Sequence, residues 1–229
     1  NKFFGRDDFM ELFTKSLEEH GEYLFNAKRG FQISSNWVVL ENHGLLFIGL
    51  ALGKEIYTET ALKRLEQEVQ IQIFSDGVHW EQSCMYHNEV LHCVLETIHM
   101  LQAWGRKIPE KITEAARRMA MVNVAWKKPD GCQPLTGDSD ETNVEDMLAV
   151  SAILLAKEGK KEAEVLKGCA GQYPGYESIW DLRREGAEIY ERILGRVPQQ
   201  TNFMLEESGN YYVRNNWECN GEYLHFRNG

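Results

Sequence analysis

The chain has 229 residues, 43% of them hydrophobic, enough to bury a substantial core in one domain or one and a half and too apolar for a disordered segment. Its 25 Lys and Arg stand against 35 Asp and Glu, a formal charge of −10. That balance argues against a protein that tracks nucleic-acid phosphates and leaves an acidic polymer to be held by a local basic or hydrogen-bonding cleft.

The first periodic stretch runs from Asp8 to about Lys28, where Phe9, Leu12, Phe13, Leu17, Tyr23 and Leu24 share one helical face. Trp37 to Leu52 is apolar nearly all round and predicts a buried helix, interrupted only by Glu41, Asn42 and His43. Ala61, Leu65, Val69 and Ile73 predict the next helix, and Val90, Leu91, Val94, Leu95, Ile98 and Leu101 another; Ile112, Ala115, Ala116 and Met119 continue the series. Helices of roughly 15 to 20 residues on short connections, each with one broad apolar face, predict an antiparallel helical array. A polar, glycine-containing loop from Lys127 to Asn143 interrupts it, and two or three more helices follow to about Leu194.

After Pro198 the composition turns to β-formers: Phe203 to Glu207, Asn210 to Asn215 and Glu222 to Phe226, with Ser208-Gly209 as a hairpin turn. Strands this few need a larger sheet, so residues 199–229 are expected to open a β domain and residues 1–198 to form the helical one. The start at Asn1 without methionine and the strand-like end at Asn228-Gly229 carry the expectation of a segment cut from a longer protein.

The cysteines (Cys84, Cys93, Cys132, Cys169, Cys219) form no CxxC and leave an odd one over, so neither a zinc knuckle nor a disulfide framework is expected. Free buried thiols lean weakly toward a reducing compartment. The longest apolar stretch, Leu45 to Leu52, is too short to span a bilayer, and no secretory signal opens this segment, which leaves the compartment of the longer protein undecided.

Three stretches carry candidate chemistry. In SSNWVVLENHGLLFIGL (34–50), Asn36 suits a helix cap as well as a site, and His43 suits a hydrogen-bonded core position better than a base. In DGVHWEQSCMYH (76–87), Asp76-Gly77 marks a turn and Tyr86-His87 falls where a helix begins. In GDSDE (137–141), Asp138 and Asp140 fit acids favouring a helix N-terminus better than a calcium loop, since no full calcium-loop pattern follows.

In tandem, NW…E..GLL..GL, DG….EQS..YH, GDSD, GNYYVR and a closing aromatic-Arg-Asn-Gly resemble the heparinase II/III-like polysaccharide lyases over nearly the whole chain. The resemblance implies an incomplete (α/α) toroid of antiparallel helical hairpins followed by an antiparallel β-sandwich domain, with a substrate cleft between them. It further implies β-elimination on a uronic acid-containing polysaccharide: loss of the weakly acidic C5 proton, with the neighbouring carboxylate neutralised. Asn36 then matches the family's carboxylate-neutralising amide, chosen over Asn42 because Glu41, Gly44 and Gly49 fall in register. Tyr86 matches the catalytic tyrosine, which needs a cationic or hydrogen-bonding neighbour to act as a base. Trp37, Glu41, His79, Trp80, Glu81 and His87 are the expected substrate-binding or supporting residues. The second catalytic residue, a histidine or tyrosine, is expected beyond Gly229; His225 is not its equivalent, so the segment alone is expected to be inactive.

The resemblance implies no cofactor and no metal at this site, placing any structural metal in the β domain outside the segment. The expected partner is an acidic polysaccharide, with neither nucleic acid nor membrane. Two other functions compete: a non-catalytic carbohydrate-binding or scaffold domain, and a toroid-fold glycoside hydrolase that would pair Glu41 with Glu81 or Asp138 as acid and base. The charge of −10 favours a lightly sulfated or unsulfated polymer.

Overall fold

The computed structural model describes residues 7–27 and 35–228. Eight helices precede three strands: α1 Asp7–Asn26, α2 Asn36–Leu52, α3 Glu55–Gln72, α4 Cys84–Ala103, α5 Glu110–Trp126, α6 Glu145–Lys157, α7 Glu162–Cys169 and α8 Tyr176–Arg192, then β1 Asn202–Leu205, β2 Asn210–Arg214 and β3 Tyr223–Arg227. The expected end of the first helix near Lys28, and the motif residues Ser34 and Gly229, lie outside the described residues.

The helices follow the apolar spacing closely. α2 is the hub, packing against α1, α3 and α4, while α5 bridges α3, α4 and α6. The near-uniform apolarity of α2 has a direct cause: Val39 and Leu46 on one side and Leu45 about 100° round from them are all fully enclosed, leaving a stripe through Trp37, Leu40, Glu41, Gly44 and Ala51 partly open. One continuous core joins these to Leu65 and Val69 of α3, Leu91, Leu95 and Ile98 of α4, Met119 of α5 and Leu148 of α6. Each such leucine contributes about 1.5–3 kcal/mol by leaving water. α6 and α7, at 13 and 8 residues, are shorter than the 15 to 20 expected, and α8 is broken at Arg183, whose φ is 53°.

The strands form one antiparallel sheet in the order β1-β2-β3, with Tyr212 opposite Phe203 on one side and His225 on the other. Tyr212 turns inward to a second cluster with Val78, Cys84, Val122, Ala125 and Trp126, which seats the sheet on the end of α5 and the start of α4. Arg214, on the same face, donates to the Ala125 carbonyl oxygen and lies 4.0 Å from the Trp217 ring centre. The first strand ends earlier than expected: Glu206 and Glu207 belong to the turn, where the Glu207 carboxylate accepts hydrogen bonds from the Ser75 amide and hydroxyl.

Candidate active site

The two stretches 34–50 and 76–87 meet at the N-termini of α2 and α4. Ser35 caps α2, its hydroxyl accepting the Trp37 amide at 3.2 Å, so Asn36 is the first helical residue and not the cap. Asn36 is only 5% exposed, and its hydrogen bonds hold it in place: its amide N–H donates to Glu81 Oε1 at 3.2 Å and its Nδ2 to Glu89 Oε2 at 3.1 Å. Asn42, by contrast, spends its Nδ2 on the Val38 carbonyl within the same helix.

α4 starts at Cys84, capped by Ser83, whose hydroxyl accepts the Tyr86 amide. The turn before it lies hard against α5: a Cβ on Gly77 would come within 2.6 Å of the Arg118 carbonyl oxygen, and its φ of 93° favours glycine as well. The Tyr86 hydroxyl projects outward and donates to Asp138 Oδ2 at 2.7 Å. That hydrogen bond, the charge of Asp138 and, more weakly, burial and the carboxylates of Glu81 and Glu89 raise the phenol above its ordinary pKa. The neighbour Tyr86 needs to act as a base is therefore not what Asp138 supplies: an anionic acceptor favours the neutral phenol. Residues 137–141 do not start a helix, as their acids suggested, because α6 begins only at Glu145; they form the loop that carries Asp138 to Tyr86.

The two histidines of the stretch point the other way. His87 is fully buried, its Nδ1 accepting the His79 amide at 3.2 Å and its Nε2 donating to the Met119 carbonyl at 3.1 Å, with the Trp126 ring edge-on at 4.6 Å. His79 is fully buried too, with Nε2 2.9 Å from Gln72 Oε1. Burial lowers His79 to about 4 and His87 to about 3, the latter helped by His79, so both are neutral imidazoles. Expected as contacts or catalytic surroundings, they have no surface to offer a sugar. The chain of contacts continues through Gln72 Nε2, which donates to the Ser35 carbonyl at 3.0 Å and to Glu68 at 2.7 Å.

Trp37 and Trp80 are 63% and 40% exposed. Glu81 belongs to the Asn36 cluster, whereas Glu41, five residues on, is turned about 140° around α2. It lines a separate cleft of about 190 Å³ with Leu24, Arg64 and Glu68. His43 meets Glu96 at 3.0 Å, as a partnered core-edge histidine does. Among the described residues, Asp130, Cys132 and Glu141 come close enough together to hold a cation, but Lys128 already sits 2.9 Å from Asp130 and 3.4 Å from Glu141.

Sequence reasoning missed Glu89 as a partner of Asn36 and misjudged Asp138. Glu89 had a signal, lying three positions from Tyr86 on the same helical face. Asp138 stood in the GDSD motif, but nothing in the sequence tied it to Tyr86, 52 residues away across a loop. On the strand side, Asn210 joins Gln82 to His225, at 3.2 and 3.0 Å, so His225 is engaged in holding the sheet to this loop.

A helical array of toroid type that runs into an antiparallel sheet is the heparinase III fold. A crystal structure of heparinase III superposes with a TM-score of 0.76 at 19% identity, covering 99% of this chain and 34% of that one. Heparan sulfate lyase HepC from Pedobacter heparinus gives 0.67 at 19% identity, covering 96% and 32%. The chain belongs to the heparinase II/III family, whose N-terminal region model (heparinase II/III N-terminus) matches residues 3–156. The heparin-sulfate lyases of Bacteroides thetaiotaomicron and Pedobacter heparinus are 23% and 21% identical over 92% and 93% of this chain. The chain spans 29% of the length of each. No described helix is long and apolar enough to cross a membrane.

Proposed function

We propose that the complete protein containing this chain is a polysaccharide lyase that cleaves a uronic acid-containing polymer, of heparan sulfate or related type, by β-elimination. Asn36 hydrogen-bonds the uronate carboxylate and so stabilises the charge that develops when the C5 proton leaves. Tyr86 carries a proton at the scissile bond. Trp37 and Trp80 serve as platforms for the sugar rings, and Glu81 fixes the Asn36 backbone.

The observation that supports this reading is that α4 bears both Tyr86 and, one turn on, the Glu89 carboxylate that accepts from Asn36 Nδ2. An amide and a phenol tied to the same helix suit elimination, whereas an inverting or retaining hydrolase needs two opposed carboxyl groups, and Glu41 faces another cleft. The relatives named heparin-sulfate lyase support the substrate class.

The test is the ultraviolet absorbance of the unsaturated uronate product when the complete protein meets heparan sulfate, alginate and hyaluronan. Product formation that disappears in both Asn36→Ala and Tyr86→Phe is the expected result. Saccharide binding that survives both substitutions, with no product from the parent, would replace the lyase with a binding domain. The 229-residue segment assayed alone is expected to give no product.

A further inference from the structure

We propose that Asp138 is a positioning residue for Tyr86, holding its hydroxyl protonated and aimed, and so making Tyr86 the proton donor of the elimination and not its base. The inference rests on the lyase function proposed above.

The carboxylate is not a chance surface neighbour, because its loop is docked on the helix that carries Tyr86. Ser83, the α4 cap, donates its hydroxyl to the Asp138 carbonyl oxygen at 2.7 Å. The Ser139 hydroxyl lies 3.0 Å from that of Ser83, donates to the Thr136 carbonyl at 2.6 Å and accepts the Met85 amide at 3.2 Å. Gly137, at φ 65°, lets the loop pass so close that a Cβ there would lie 3.3 Å from the Gln82 carbonyl oxygen. One serine thus fixes both ends of the pair, the Tyr86 amide on one side and the Asp138 backbone on the other.

The chemical consequence follows from what a carboxylate can do. It accepts only, so the 2.7 Å contact requires the proton to be on the phenol. Ionising Tyr86 would set two negative oxygens side by side, with Glu81 and Glu89 adding to the penalty. In the elimination the C5–H electron pair becomes the C4=C5 bond, and the C4–O4 pair leaves on O4, which takes the Tyr86 proton. The C5 proton passes to a separate base, an imidazole or a phenolate, on the part of the protein outside this segment. The phenolate left beside Asp138 is unfavourable and regains a proton from solvent, which resets the site.

Two measurements on the complete protein decide this, with Asp138→Asn as the shape-preserving variant and thermal melting to verify that it folds. The first is the phenolate absorbance titration of Tyr86 without substrate, taken as the difference from a Tyr86→Phe background; Asp138→Asn is expected to shift it to lower pH. The second is the pH profile of kcat, whose basic limb is expected to shift the same way, with KM little changed. At the optimum kcat is expected to fall about tenfold, a part of the roughly 10²–10⁴-fold that a general acid supplies. An unmoved titration and an unmoved basic limb would overturn the proposal, as would Asp138→Asn raising the activity by freeing a base. If the parent forms no unsaturated product, the lyase function falls by itself, and the substrate-free titration still decides whether Asp138 holds the phenol.

Discussion

Tyr86 and His87 are neighbours in sequence and belong to two different regions of the molecule. The rim, where Glu81, Tyr86, Glu89 and Asp138 reach solvent and Asn36 lies buried against Glu81 and Glu89, is rich in carboxylates. The layer beneath it, with Gln72, His79 and His87, is fully enclosed and, in its imidazoles, neutral. Both are hydrogen-bonded, yet the bonds serve opposite ends. In the rim they run between groups whose ionisation or partner can change when a ligand arrives. In the layer each His87 ring nitrogen has one partner, backbone in both cases, which leaves it no proton to exchange. Proximity in sequence to a reactive residue says little about a histidine's task; the face of the helix decides it.

Substitutions should separate the two regions cleanly. Tyr86→Phe is expected to lower kcat of the complete protein by about 100-fold or more, the scale of a lost proton carrier, with an almost unchanged melting curve. His87→Ala should do the reverse, costing about 3 kcal/mol of stability through a cavity and an orphaned His79 amide, measured by denaturant unfolding. If His87→Ala instead spared stability and removed activity alone, the division between rim and layer would fail.

Acid should act on the layer before the rim. His79 and His87 have folded-state pKa values below the ordinary histidine value, so at pH 7 both states are neutral and stability is flat there. As the pH falls below about 6.5 the unfolded chain takes up protons that the folded one refuses, and stability declines by up to about 2.7 kcal/mol per pH unit for the two groups until the folded values are reached. Unfolding free energies between pH 7 and 4 measure this, and the slope should be shallower in a His87→Gln variant. Asp76→Ala is a smaller change, costing about 1 kcal/mol for the bonds to the Val78 and Ser208 amides. Glu89→Gln, which keeps an acceptor for Asn36, should alter stability by less than about 0.5 kcal/mol.

Much of the fold was legible because burial imposes a period. The apolar spacing in 90–101 could belong only to a helix with one covered face, and α4 spans it. Followed back by three and four residues, the stripe of Val90 and Leu91 includes His87, so its burial was written in the sequence and obscured by the adjacent tyrosine. Asn36 and Tyr86 stood out through the tandem motifs rather than through any property of a single residue. What stayed hidden crosses between elements: Asn36 to Glu89 over 53 positions and Tyr86 to Asp138 over 52, where no local period links donor to acceptor. The early end of β1 was hidden for the same reason, since Glu207 leaves the strand to meet Ser75.

That last contact has a consequence for anyone rebuilding this protein. Ser75 with Glu207, Asp76 with the Ser208 amide, and Gln82 with Asn210 stitch the first hairpin to the loop leading into Tyr86. The seam between helices and sheet therefore lies at this hairpin and not at the proline-containing connection before it. A chimera that exchanges the sheet at residue 198 would cut every one of these stitches, whereas one that crosses over after Asn215 would carry them intact and ask the incoming chain only to supply a partner strand for β2.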